Sequence, residues 1–176
     1  RKYFCIFDFF EKEMKNRMVI LGAGESGGGA ALLARQKGYD VFVSDASVIN
    51  SRYKEELIKS EIEYEEGLHT GKKIFSANLV MKSPGIPEEN EMVIEIRKRG
   101  IEIISEIELA YRYKGDSKII AITGSNGKTT TTALVYHICK VAGLDCALVG
   151  NIGYSFARQV AKEPKKLYVA EISSCQ

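Results

Sequence analysis

Twice in this chain a short apolar run breaks into glycines and then into a helical stretch, and this arrangement restricts the fold more than any other feature. The first instance is Met18-Val-Ile-Leu21, then Gly22-Ala-Gly24-Glu25-Ser26-Gly27, then small residues to Lys37. The second is Lys118–Ile122, then Thr123-Gly124-Ser125-Asn126-Gly127-Lys128-Thr129-Thr130, then a helical stretch to Ala142. A strand that ends in glycines and feeds a helix gathers backbone N–H groups at the helix N-terminus, where the peptide dipoles favour an anion.

Around these two points strands and helices alternate. A second strand, centred on Val41-Phe-Val43, ends at Asp45, and a polar helix follows at about 50–60. Leu79-Val-Met81 is a strand running into the turn-rich Ser83-Pro84-Gly85-Ile86-Pro87. Glu88–Arg99 is a helix stopped by Gly100, and Ile101–Ile104 is the next strand. Ser105 and Glu108 form a capping box for a helix through Tyr113. Beyond the second glycine loop, residues 144–149 and 167–172 are strands, with a helix at about 155–162 between them. The pattern predicts an α/β fold with parallel sheets, one βαβ series up to about residue 103 and a second after it. Ending directly off a strand, that second series looks cut short. Met14 looks like a natural start, so residues 1–13 are expected to be an extension of no function.

Charge and cysteine usage exclude some classes. The chain of 176 residues is 45% hydrophobic, enough for a real core, and its 25 basic and 23 acidic residues leave a net charge of +2. That near balance argues against nucleic acid or an anionic membrane as partner. Cys5, Cys139, Cys146 and Cys175 form no C-x-x-C pair and no metal-ligand spacing with His69 or His137, which favours a reducing, cytosolic setting. No apolar run approaches the roughly 18 residues needed to span a bilayer. The opening Arg1–Phe10 resembles a signal peptide only until Asp8, Glu11 and Glu13 interrupt it.

The second glycine loop reads as a phosphate loop for ATP and Mg²⁺, formed by Ser125, Asn126, Gly127, Lys128, Thr129 and Thr130. Lys128 would reach the β- and γ-phosphates and the Thr129 hydroxyl would ligate Mg²⁺. Ile122 stands where the full pattern has a glycine, so the loop is a shortened variant; a turn that only joins strand to helix is the alternative. The first loop is a G-x-G-x-x-G, and Asp45 lies 21 residues beyond Gly24, the spacing of a dinucleotide fingerprint and its ribose-binding acid. Its alternative is close helix–strand packing without a ligand. Gly28 and Gly29 exceed what either reading needs. Glu171 ends a strand expected beside the phosphate-loop strand, where a carboxylate can bind Mg²⁺ directly or through water; an ordinary surface acid is the other reading. Asn151, Ser173, Ser174 and Gln176 could offer hydrogen bonds nearby. His69 and His137 look solitary, with His137 expected in packing.

Together these residues resemble the Mur ligases of peptidoglycan synthesis, whose ATP loop T-G-[ST]-[NH]-G-K-[ST] is matched throughout by residues 123–129. Three further segments, Ser83-Pro-Gly-Ile-Pro87, Gly150-Asn-Ile-Gly153 and Glu171-Ile-Ser-Ser-Cys-Gln176, are similar to the branch that adds D-glutamate to UDP-N-acetylmuramoyl-L-alanine. The resemblance implies a Rossmann-like domain over 14–103 that binds the UDP substrate and not NAD. A P-loop-type α/β central domain, incomplete here, would occupy 104–176. Glu25, Ser26, Asp45, Ala46 and Ser47 would surround the uridine and its phosphates, and Ser83 and Gly85 would line the diphosphate path. Asn151, Ser173 and Gln176 would contact the muramoyl part. Lys128 and Glu171 would be the catalytic pair, with Thr129 and Glu171 holding Mg²⁺. Ala46 and Ser47 stand where the family often has Thr-Arg, and Cys175 where it has an aromatic.

The implied reaction is ATP-driven amide formation through an acyl phosphate, carried out by a monomer in the bacterial cytoplasm and serving cell-wall biogenesis, shape and division. A carbamylated lysine, a metal-binding histidine, the adenine pocket and the D-glutamate domain would all lie after Gln176, so the chain alone is expected not to turn over. An NAD-dependent oxidoreductase and a non-catalytic nucleotide-binding module are the competing readings.

Overall fold

In the computed structural model, residues 16–173 are described; the expectations for residues 1–13 and for Ser174, Cys175 and Gln176 lie outside them. Strand β1 (Arg17–Leu21) leads through the first glycine loop into helix α1 (Glu25–Gln36), followed by β2 (Asp40–Asp45) and α2 (Ser51–Lys59). Then come β3 (Glu63–Glu66), α3 (Gly71–Ile74), β4 (Leu79–Lys82), α4 (Glu91–Lys98) and β5 (Glu102–Ile104). These five strands form one parallel sheet in the order β3-β2-β1-β4-β5. The central position of β1 explains its composition: Met18, Val19, Ile20 and Leu21 are all buried, as a strand covered on both faces requires.

Helix starts follow local chemistry. The side chains of Asn50 and Asn90 accept from the amides of Arg52 and Met92 and so cap α2 and α4. For that reason α4 begins at Glu91 and not at Glu88, where the sequence pattern placed it. Helix α5 (Glu106–Tyr113) is capped as expected by Ser105, whose hydroxyl accepts from the Glu108 amide at 3.1 Å. β6 (Lys118–Ile122), α6 (Lys128–Val141), β7 (Cys146–Gly150), α7 (Phe156–Lys162) and β8 (Leu167–Glu171) complete the described chain. They form a second parallel sheet in the order β6-β8-β7. Cys139 and Cys146 are buried in its small core with Val169, consistent with cysteine as a compact apolar residue. His137, expected in packing, is exposed on α6.

Helices α1, α5 and α7 lie between the sheets, and one apolar cluster runs through them from Ile20 and Leu33 to Phe156 and Tyr168. This contact accounts for the surplus glycines. A Cβ on Gly29 would sit 2.1 Å from the Ser155 hydroxyl oxygen, and one on Gly28 would meet Arg158 Nη2 at 3.0 Å. Both glycines thus let α7 approach the backbone of α1. Tyr39 and Tyr113 add a hydroxyl–hydroxyl hydrogen bond of 2.8 Å between β2's entry and α5. No helix among the described residues is long and apolar enough to cross a membrane.

Candidate functional site: two glycine crevices

The first crevice opens at the C-terminal ends of β1, β2 and β4, where the strand order changes direction and parallel sheets bind ligands. It is a cavity of about 510 Å³ whose lining includes Gly24, Glu25, Ser26, Asp45, Ala46, Ser47, Ser83 and Gly85. The structure therefore brings together every expected residue of the uridine and diphosphate set. Gly24 caps α1 without any side-chain hydrogen bond, so among the described residues no side chain caps this helix and its first-turn amides face an incoming anion. Asp45 holds the loop in shape: Oδ2 accepts from the Ala23 amide at 2.7 Å and Oδ1 from the Ser47 amide at 2.8 Å. Each oxygen keeps a second lone-pair direction for a ligand hydroxyl.

Glu25 lines this crevice, but its carboxylate turns away. Oε1 accepts from Arg158 Nε at 2.8 Å and from the Ser155 amide at 3.2 Å, both on the α7 side. His69, read as solitary, also belongs to the lining. Its Nδ1 lies 2.6 Å from the Ser44 hydroxyl, which also lies 2.6 Å from Glu65 Oε1. The hydroxyl has one proton to give, and the carboxylate can only accept, so His69 Nδ1 donates to Ser44. Burial pushes the Glu65 carboxyl up, but hydrogen bonds from Ser44 and Thr70 outweigh it and hold the group below its ordinary value. No spacing rule in the sequence signals this trio; the loop between β3 and α3 delivers His69.

The second crevice is built on β6 and α6. Gly127 takes the left-handed conformation with φ of 72° and caps α6 without a side-chain bond. Ser125, Asn126, Thr129 and Thr130 are exposed. Lys128 folds back, its Nζ donating to the Gly124 carbonyl at 2.6 Å. β8 does lie beside β6, with Glu171 opposite Ile122 in register. Glu171 is only 5% exposed, so it is no ordinary surface acid, and its Oε2 has no hydrogen-bond partner among the described residues. A buried carboxylate oxygen without a partner suits a hard cation, as do the hydroxyl of Thr129 and phosphate oxygens. Among the described residues there is no cluster of three or more metal-ligating side chains, so Mg²⁺ here would depend on phosphate for much of its coordination. Asn151, exposed, donates its backbone amide to the Glu171 carbonyl at 3.1 Å, which places it at the same strand end. Ser173 follows two residues after Glu171.

Residues 17–92 match the MurD N-terminal domain family and residues 122–175 the Mur ligase middle domain family. The UDP-N-acetylmuramoylalanine–D-glutamate ligase of Bacteroides fragilis is 58% identical over 91% of this chain and 36% of its own length. That of Cytophaga hutchinsonii is 54% identical over 93% of this chain and 36% of its own. The chain thus spans little more than a third of the curated relatives it matches. Among solved structures, a murein peptide ligase from Psychrobacter arcticus shares the fold with a TM-score of 0.57 at 23% identity, covering 88% of this chain and 37% of that one. On its two matched domains and these relatives, the chain belongs to the Mur ligase family and is similar to its D-glutamate-adding members.

Proposed function

We propose that this chain supplies the UDP-substrate-binding unit and the start of the ATP-binding unit of a ligase that joins D-glutamate to UDP-N-acetylmuramoyl-L-alanine. The observation that carries the reading is the pairing of two different glycine crevices in one chain. One is a cavity of about 510 Å³ with an acid at the end of β2. The other is a phosphate loop beside a buried Glu171 oxygen that has no hydrogen-bond partner among the described residues. An oxidoreductase has use for the first and none for the second.

In this reading the first-turn amides of α1 hold the diphosphate, Asp45 faces the uridine, and Ser83 and Gly85 border the path toward the reacting end. Asn151, Ser173 and Gln176 contact the muramoyl part. Lys128 exchanges the Gly124 carbonyl for the β- and γ-phosphates of ATP, a positioning and charge-neutralising role. Thr129 and Glu171 would hold Mg²⁺, which when bound neutralises charge on the phosphates. The alanine carboxylate attacks the γ-phosphorus and ADP leaves. The D-glutamate amine then adds to the acyl phosphate, and phosphate departs as the amide forms and the amine loses a proton. The D-glutamate site belongs to a longer protein, as the relatives' length suggests, and turnover is proposed for that protein, a monomer of the bacterial cytoplasm engaged in cell-wall synthesis.

Calorimetric titration with UDP-N-acetylmuramoyl-L-alanine, UDP and NADH tests the reading. Binding of the first two, weakened by Asp45→Ala, is the expected result. Tight NADH binding with no response to UDP would overturn it in favour of an oxidoreductase.

A further inference from the structure

Glu25 occupies an awkward position for a nucleotide site. It lies in the first turn of α1 and lines the crevice. A carboxylate free to swing there would be drawn to the same amides as a diphosphate, because the helix N-terminus favours any anion. The structure prevents this from the other sheet's side. Arg158, on α7, donates Nε to Glu25 Oε1 at 2.8 Å and Nη1 to both oxygens of Glu56 at 2.7 and 2.8 Å. Its side chain is 2% exposed. Releasing Glu25 would leave a buried guanidinium with less compensation, which is costly. Lys162 lies 3.1 Å from Glu56, so two cations pair with the Glu25 and Glu56 carboxylates beside the crevice.

We infer that Arg158 is a positioning residue for the nucleotide site: it pins and neutralises Glu25 so that the α1 amides stay open to a diphosphate. The crevice of the first sheet is then complete only when α7 of the second is docked against it. A direct ligand contact by Glu25, as the family resemblance implied, is the opposing assignment.

The inference rests on the proposed UDP site, and UDP binding to the full chain at low salt, where screening is weakest, separates the two. The variants are Arg158→Met, Arg158→Lys, Glu25→Gln and the Arg158→Met/Glu25→Gln pair, each with its thermal melt. Arg158→Met should weaken UDP about ten-fold or more through the exposed negative charge, and Arg158→Lys less. Glu25→Gln should tighten UDP a few-fold, because Arg158 then gives the crevice a net positive neighbour. The double variant should return to within about three-fold of the parent whatever happens to its melting temperature. If Glu25→Gln weakens UDP, Glu25 is a ligand contact and the inference falls, even should Arg158→Met fail to fold. If the variants change melting temperature but not UDP affinity, Arg158 is only an inter-sheet tie and the inference also falls. A parent chain that does not bind UDP overturns the nucleotide reading itself.

Discussion

The backbone of Gly29 passes so close to Ser155 that a single methyl group on it would lie 2.1 Å from the Ser155 hydroxyl oxygen and 2.9 Å from Arg158 Cβ. The neighbouring atoms include the Arg158 backbone nitrogen, which cannot rotate away. Gly29→Ala should therefore force α1 and α7 apart, despite the better helix propensity of alanine. Overpacking of this kind costs about 1–3 kcal/mol. Urea unfolding of the variant is expected to show that loss, with the Tyr39–Tyr113 contact between the same units weakened in parallel.

Gly24 offers the opposite case. It has φ of −76°, which any residue can adopt, and a Cβ there meets nothing within 4 Å. Gly24→Ala should leave stability within about 0.5 kcal/mol of the parent. However, the added methyl would stand at the mouth of the crevice, where a diphosphate must approach the backbone. UDP affinity measured by calorimetry should fall about ten-fold while the urea midpoint stays in place.

What could be read in the sequence divides along the same line. Residues whose type is dictated by the local backbone were legible: the two glycine loops, Asp45 at the end of β2, and Glu171 at the end of a strand beside β6. Strand β3 was not, because Glu63-Tyr64-Glu65-Glu66 has no apolar run. It lies at the sheet edge, and its carboxylates are taken up by partners from elsewhere, among them Lys73, Ser44 and Lys54. His69 went unread for the same reason, since Ser44 lies 25 positions away. Arg158 is the extreme example. Its partners Glu25 and Glu56 are 133 and 102 positions distant, and only the docking of α7 on α1 brings them together.

The same docking buries Glu106 of α5. Burial pushes its carboxyl up to about 7, against hydrogen bonds from the Ala157 amide and the Ser155 side chain, with the charge of Glu25 on α1 adding to the rise. The ordinary carboxyl value is 4.5. Between these two values the unfolded chain gives up a proton that the folded chain keeps, so this group's contribution is whole below about pH 4.5 and is lost as pH rises through 7. The full loss is on the order of 3 kcal/mol. Glu106→Gln keeps an acceptor for the Ala157 amide and removes the charge. Unfolding free energies measured from pH 4 to 8 should show the variant gaining on the parent as pH rises across this window, with no advantage below it.

Glu171 is the residue where stability and the proposed function should conflict most visibly. Its Oε2 is buried without a hydrogen-bond partner among the described residues, and a stranded polar oxygen of this kind costs about 1–3 kcal/mol. Glu171→Gln removes the charge at nearly constant shape, so in the absence of metal the variant should be as stable as the parent or about 1 kcal/mol more stable. The cost would be borne at the phosphate loop, where Thr129 alone would remain to meet Mg²⁺. Stabilisation by Mg²⁺ and ATP together, carried here by the phosphate and metal contacts, should therefore be measurable in the parent and nearly absent in Glu171→Gln. Lys128→Ala supplies the contrast. Among the described residues its Nζ bonds the Gly124 carbonyl, so its loss should scarcely change metal-free stability while abolishing the response to ATP. Thermal melts with EDTA, Mg²⁺, ATP, and Mg²⁺ with ATP would resolve the two variants. A parent chain whose melting temperature ignores all four conditions would remove Glu171 from the metal site and leave its buried oxygen a structural cost without return.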